Sequence, residues 1–540
     1  MSARAAAQTL PIVDVVIIGA GAAGGAVAAS LAETRMRIVC LEQGDWPDSG
    51  RYPSTGRDWE IRSLGDYGFN PNQRANAADY PIDESDSPIR IANWNGVGGG
   101  TVLYAGHFPR FHPSDFRTRT LDGVGDDWPI DYATLAPYYA ENDRRMGISG
   151  LAGDPAYPPK TAVMPPVPLG RSGSRIAAAF NQLGWHWWPS DSAVATEDYG
   201  GRARCINLGH CLHGCAQGAK ASTDITYWPD AIRGGVELRT RCRVRNITTR
   251  ADGMAGGVMY FDAEGQLVEQ PAEVVIVACN GIGTPRLLLH SRSDAHPDGM
   301  ANSSGLVGRN LMFHPYASIV GRFDEELDGY RGPSNCLWSQ EFYETDAARG
   351  FVRGFTYEMT RGRGPLMTAL SGTFGGSIPL GAAHHAAFRA RFNRLSGMVA
   401  ICEDLPDAHN RVTLHPSLTD AHGIPAPKIH YTLSANSRRM LDFALARGTE
   451  VLRAAGASDI VTEAPLGIGG WHLMGTARMG DDPGTSVVNS WGRAHDVRNL
   501  FIVDGSVFVT SAGVNPTSTI QAIALHVADN IKDRLANLFD

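Results

Sequence analysis

Residues 11–42 read PIVDVVIIGAGAAGGAVAASLAETRMRIVCLE. Val13–Ile18 is a continuous apolar run rich in β-branched residues, the pattern of a strand buried on both faces of a parallel sheet. The run breaks at Gly19-Ala20-Gly21-Ala22-Ala23-Gly24. Small residues continue at helical spacing through Leu31, and a second apolar run from Arg37 to Leu41 ends on Glu42. This is a βαβ unit. Gly19 permits its tight turn, Gly21 lets the backbone approach a pyrophosphate, and Gly24 lets the helix pack closely on the strand, with the free N–H groups of the helix N-terminus aimed at the phosphates. Glu42, about 20 residues further on, is placed to accept from both hydroxyls of a ribose. Its negative charge sits where a 2′-phosphate would have to lie, so the stretch predicts FAD or NAD over NADP and leaves those two open.

At 540 residues the chain is longer than one hydrophobic core supports, so two domains, or one large domain with an elaborate insertion, are expected. A net charge of −8 leaves no basic face for nucleic acid and suits a small, uncharged ligand. Residues 1–10 run into the first strand with no apolar segment ahead of a cleavage site, and no apolar stretch reads as a membrane span. The cytoplasm is the default expectation, and the periplasm would be reached only with a partner subunit as carrier. Eight cysteines are sparse for a disulfide scaffold. Cys40, Cys242, Cys279 and Cys402 lie in or beside apolar stretches and read as buried thiols, whereas Cys205, Cys211 and Cys215 are clustered.

Beyond Glu42 a polar, proline-containing stretch to Asp86 reads as a loop over a cofactor or an entrance. Gly96, Gly98, Gly99 and Gly100 precede Thr101 in a run that permits close backbone approach to a ligand. A helix is expected over 131–146, a linker over 150–168, and another helix over 174–183. The apolar cluster Trp185-His186-Trp187-Trp188 then reads equally as packing of a turn or as a substrate-lining wall. A second buried strand at 272–278 leads through a glycine turn into a helix at Asn280, the crossover that a doubly wound sheet needs. From 317 to 460 short alternating stretches separated by turns, such as 411–415 and 428–431, predict an antiparallel sheet with flanking helices. The last eighty residues, with a strand at 500–503 and a helix from 517, return to the first pattern. The expected architecture is α/β: a Rossmann-like FAD-binding domain over 8–316 and 461–540, and an α+β substrate domain on an antiparallel sheet over 317–460. A C-terminal segment that rejoins a nucleotide domain favours a cofactor as long as FAD.

Two stretches carry groups suited to oxidising an alcohol. In 469–480, GGWHLMGTARMG, His472 stands among glycines that let another group come close, and an imidazole suits removal of a hydroxyl proton near neutral pH. In 511–517, SAGVNPT, Asn515 precedes a helix N-terminus. It could hold the alcohol oxygen while the helix dipole faces a flavin ring that turns anionic on reduction.

Over nearly its whole length the chain resembles the glucose-methanol-choline (GMC) family of FAD-dependent oxidoreductases. The matching stretches are GAGAAG at 19–24, NGVGGGTVLYAG at 95–106, NGIGTPRLLL at 280–289, LVGRNLMFHP at 306–315, WHLMGTARMG at 471–480 and VDGSVFVTSAGVNPTSTI at 503–520. The resemblance implies that His472 is the catalytic base and Asn515 the second active-site residue. It also implies that Gly96–Thr101 and Asp504 contact the flavin, with Pro516 and Thr517 beside it. Thr101-Val102 stands where members with covalent FAD carry Thr-His, so noncovalent FAD is expected. The chain looks most like the large subunits of gluconate, glucose and fructose dehydrogenases. Their Cys-x5-Cys-x3-Cys spacing is similar to Cys205, Cys211 and Cys215, which implies a 3Fe-4S cluster, a small partner subunit and a cytochrome or quinone-type acceptor. Zinc on the three cysteines with His210 or His213, plain buried thiols, and oxygen as acceptor stay open. The expected activity is oxidation of the alcohol group of a sugar, polyol, glycoside or aryl alcohol. The alternative is a hydroxynitrile-type lyase of the same fold that keeps FAD without net redox chemistry.

Overall fold

Val13–Ile18 (β1), Ala22–Leu31 (α1) and Ile38–Leu41 (β2) form the expected βαβ unit in the computed structural model, which describes residues 7–63, 65, 67–73, 79–209, 211–327, 329–535 and 538. β1 pairs in parallel with β2, Val15 opposite Ile38 and Ile18 opposite Leu41. On its other side β1 pairs in parallel with Leu267–Val277 (β3), from Val13 opposite Ala272 to Ile18 opposite Val277. The apolar runs are continuous because both faces of these strands are covered. β3 is long enough to leave this parallel core. Its first half pairs antiparallel with Ala255–Phe261, the inner strand of a hairpin with Arg243–Thr249. Asn280–His290 (α2) follows β3 and makes the crossover.

Tyr316–Arg322 (β4), Phe355–Arg361 (β5) and Leu395–Cys402 (β6) belong to a second sheet, entirely antiparallel, in the order Trp338–Ser339, β5, β6, β4, Ser458–Glu463. Ala435–Ala454 (α3) covers one face of it, and Tyr357 ties strand to helix by donating from its hydroxyl to the Ala444 carbonyl at 2.5 Å. Strand alternation sends Phe355, Tyr357 and Met359 into that core and leaves Thr356, Glu358 and Thr360 for the opposite face. The alternating stretches near 411 and 428 do not join this sheet as expected. They form a hairpin, Arg411–Thr419 with Pro425–His430, that adds Asp83–Asp86 in parallel as a third strand. The cause is at the hairpin turn. Buried Asp420 accepts from Arg286 of α2 at 2.8 Å and lies 3.3 Å from Arg243, so the turn is tethered to the nucleotide side.

Leu500–Ile502 (β7) returns to pair in parallel with β3, Leu500 opposite Val275. Thr517–Asp533 (α4) packs on α1, whose nine buried residues are small or aliphatic because they lie between the sheet and that helix. The chain is thus a mixed α/β fold in which β1, α1, β7 and α4 share one core. Among the described residues no helix is long and apolar enough to cross a membrane.

Candidate active site

The turn after β1, the Gly96 loop, β5 and the two C-terminal stretches open onto one cavity of about 400 Å³. Gly19, Gly21 and Glu42 line it, as do Gly96, Gly99, Gly100 and Thr101. So do His472, Asp504, Asn515, Pro516 and Thr517. Gly24 and Gly98 are not on its wall. A Cβ on Gly24 would overlap the Gly19 carbonyl oxygen, so Gly24 shapes the backbone from behind. Gly99, with φ of +51°, would set a Cβ 2.8 Å from the Gly21 Cα, so the two glycine loops touch through their backbones. A Cβ on Gly100 would meet no protein atom within 4 Å, which leaves room for a ligand against that backbone.

Local bonds set each polar group. The Glu42 carboxylate accepts from the N–H groups of Ala20 and Gly44, both at 2.8 Å. Burial pushes this carboxyl up, and the two N–H groups work against that shift. No side chain caps α1 at Gly21, so the N–H groups of its first turn stay available. Asp504 accepts from the Thr284 hydroxyl at 2.6 Å and from the Ser506 N–H at 2.8 Å. These groups fit FAD: an acid for ribose hydroxyls, an uncapped helix end, and a cradle walled by glycine backbone.

His472 is tied to a residue that the sequence did not single out. Its Nδ1 lies 2.6 Å from Nδ1 of His314, and the Tyr316 hydroxyl lies 3.3 Å from the same atom. Nε2 of His314 faces two carbonyl oxygens, Ala512 at 2.7 Å and Ser511 at 3.2 Å. Carbonyls only accept, so this Nε2 carries a proton. Burial lowers His314 to about 4, so the ring is neutral and its Nδ1 is bare. His472 must then donate its Nδ1–H, and its own Nε2 holds a lone pair for the cavity. Burial, then the neighbouring His314 and His107, hold His472 well below the ordinary imidazole range. His314 stood in the LVGRNLMFHP stretch, but only its distance to His472 in space reveals the pairing.

Glu358 of β5 and His107 were also missed. Both are buried and line the same cavity, with Nε2 of His107 3.2 Å from Oε2 of Glu358. A glutamate at the centre of the strand FTYEMTR, where it alternates with the apolar Phe355, Tyr357 and Met359, was the available clue.

One expectation is corrected, and one open alternative is narrowed. The 3Fe-4S cluster on Cys205, Cys211 and Cys215 is not supported. All three are free, and among the described residues no group of three His, Cys, Asp or Glu side chains is arranged to hold a metal ion. The loop is organised around Lys220 instead, whose buried ammonium donates to the carbonyls of Val102, Tyr104 and Cys211 at 2.9, 2.6 and 2.5 Å. The Cys205 sulfur faces the Asn207 N–H at 3.4 Å and the Cys215 sulfur the Lys220 N–H at 3.5 Å, while burial pushes the Cys211 thiol up to about 12. His210, considered for zinc, lies outside the described residues. The Trp185–Trp188 cluster is not on the cavity wall. Its indoles serve their own neighbourhood, Trp187 donating to Asn181, Trp188 to the Leu151 carbonyl, and Trp185 packing edge-on against Phe342.

Comparison with known proteins gives a consistent result. The N- and C-terminal models of the GMC oxidoreductases match residues 167–316 and 406–524. A 2-methyl-1,2-propanediol dehydrogenase of Mycolicibacterium austroafricanum is 42% identical, over 98% of this chain and 96% of its own length. The fructose dehydrogenase large subunit of Gluconobacter japonicus is 29% identical, over 97% and 98%. Among solved structures, pyridoxine 4-oxidase from Mesorbium loti superposes with a TM-score of 0.65 at 18% identity, covering 96% of this chain and 99% of that one.

Proposed function

Since the chain belongs to the GMC oxidoreductases and acts on CH–OH groups, we propose that it oxidises an alcohol to a carbonyl with noncovalent FAD and with His472 as the base. The observation that carries this reading is the 2.6 Å contact between Nδ1 of His472 and Nδ1 of His314, whose Nε2 faces two carbonyl oxygens, at the cavity lined by the Gly19–Glu42 turn. It supports a His472 tautomer with a lone pair on Nε2.

Glu42 would hold the ribose hydroxyls of FAD, the first turn of α1 its pyrophosphate, and Gly96–Thr101 with Asp504 the flavin. When bound, FAD supplies the two-electron acceptor for the carbinol hydride. The chain supplies the rest. Nε2 of His472 takes the hydroxyl proton as the O–H bond breaks and the C=O bond forms. Asn515 holds the alcohol oxygen in line, and the N-terminus of α4 at Pro516 and Thr517 turns its positive end to the cavity. The large-subunit name of the Gluconobacter relative supports a partner subunit. Anaerobic addition of an alcohol to the holoprotein tests the reading. Bleaching of the flavin bands is expected, and a spectrum that stays oxidised with every alcohol tried overturns it.

His314 is a positioning residue in this scheme, and pH tests it. A base must be unprotonated, and His472 is held well below the imidazole range, so flavin reduction should stay level from pH 7 downward and fall only in acid. His314→Ala removes both the acceptor at Nδ1 and one cause of that lowering. Flavin reduction should slow by about 10- to 100-fold, with the acid limb moving up in pH. His314→Gln, whose carbonyl can accept the same bond, should recover part of the rate. A slower variant with an unmoved limb would make His314 merely structural.

A further inference from the structure

Three buried polar atoms near His472 have no hydrogen-bond partner: Oε1 of Glu358, Nδ1 of His107 and Oδ1 of Asn515. Their residues all line the cavity, and the Asn515 amide lies against the Glu358 carboxyl. A buried polar atom left unpaired costs about 1–3 kcal/mol, so a cluster of them on residues that line a cavity marks a place where further polar atoms are called for. Asn515 and His472 together account for one alcohol oxygen. Glu358 and His107 remain over.

We propose that Glu358 and His107 form a subsite for a second hydroxyl next to the one oxidised, so that the substrate is a vicinal diol or polyol and not a monofunctional alcohol. This rests on the assignment of His472 as the base. The pair is 3.2 Å apart, the side chains are 6% and 3% exposed, and among the described residues neither is in an ion pair with Lys or Arg. Burial raises Glu358 well above the ordinary carboxyl range and lowers His107 to about 3. Both shifts favour the neutral forms, and a carboxyl beside an imidazole is a donor and acceptor set that matches a hydroxyl, which is itself both. A substrate ammonium would need the carboxyl to ionise in the same dry place. The side-chain alternation of β5 explains the placement. With Tyr357 tied to α3, its neighbour Glu358 turns to the opposite face, where it lines the cavity.

The test compares anaerobic flavin reduction by 1,2-propanediol, 1-propanol and 2-amino-1-propanol in the holoprotein. In the wild type kcat/KM for the diol should exceed that for 1-propanol by at least about 100-fold, because a site built to bond a hydroxyl rejects the analogue lacking it. The amino alcohol should rank with 1-propanol. Glu358→Ala should bring the diol-to-propanol ratio down to within about threefold. Glu358→Gln, which keeps a neutral donor and acceptor, should retain most of the preference. His107→Asn, a variant on a different element, covers the case in which Glu358→Ala does not fold, and should lower the same ratio by about 10-fold. A wild-type ratio near one, or a ratio unchanged in Glu358→Ala and His107→Asn, overturns the subsite while alcohol oxidation stands. A preference for the amino alcohol that is lost in Glu358→Gln also overturns it, in favour of a cation site. Failure of all three compounds to bleach the flavin, together with every other alcohol tried, would strike the underlying oxidation itself.

Discussion

His472→Ala should purify with its full complement of FAD and lose alcohol-driven flavin reduction by about 100- to 10,000-fold. The cofactor is retained because its proposed holders, Glu42, the first turn of α1 and the Gly96 loop, do not depend on the imidazole. The rate falls because the cavity holds no replacement with the right lone pair. His314 does not line the cavity, and His107 is lowered to about 3 and faces Glu358. The measurement is anaerobic stopped-flow of the flavin bands with a saturating diol. Asn515→Ala should fall between this variant and the wild type, since orientation is lost while the base remains. An unimpaired reductive step in His472→Ala would remove the base assignment.

Gly24→Ala should have the largest effect on the fold. The new methyl would overlap the Gly19 carbonyl oxygen, and Gly19 cannot retreat, because a Cβ there would itself lie 2.5 Å from the Ala278 carbonyl oxygen. The turn must open or α1 must lift from β1, and α1 is buried along nearly its whole length. A loss of about 3 kcal/mol in denaturant unfolding is expected, with protein that elutes free of FAD. Gly100→Ala is the matched contrast. Its methyl meets no protein atom within 4 Å, so the apoprotein should keep its stability within about 0.5 kcal/mol while binding FAD more weakly. Equal flavin content and equal melting in Gly24→Ala and wild type would show that close helix packing is not what this glycine provides.

Much of this was legible in the chain. The period and composition of residues 13–42 dictated two buried strands and a close-packed helix, and short stretches around His472 and Asn515 announced themselves by glycine and by position before a helix. The cysteine spacing misled because spacing along a loop does not say where sulfur atoms point. Lys220, by gathering three carbonyls, directs that loop otherwise. The tryptophan cluster left two readings open, and the local one holds: each ring finds a partner close at hand, away from the cavity.

The sequence by itself determined the βαβ unit, the buried or half-buried character of each strand, and the residue types available for chemistry. These follow from local backbone sterics and from the burial of apolar periodicity, which act within a few residues. Only the tertiary structure decided that His314 would set the tautomer of His472 across 158 residues of chain, and that β5 would bring Glu358 to His107 beside them. Those meetings depend on how two sheets and their helices pack, where the burial of many side chains, and not the preference of any one, sets the distance between two atoms.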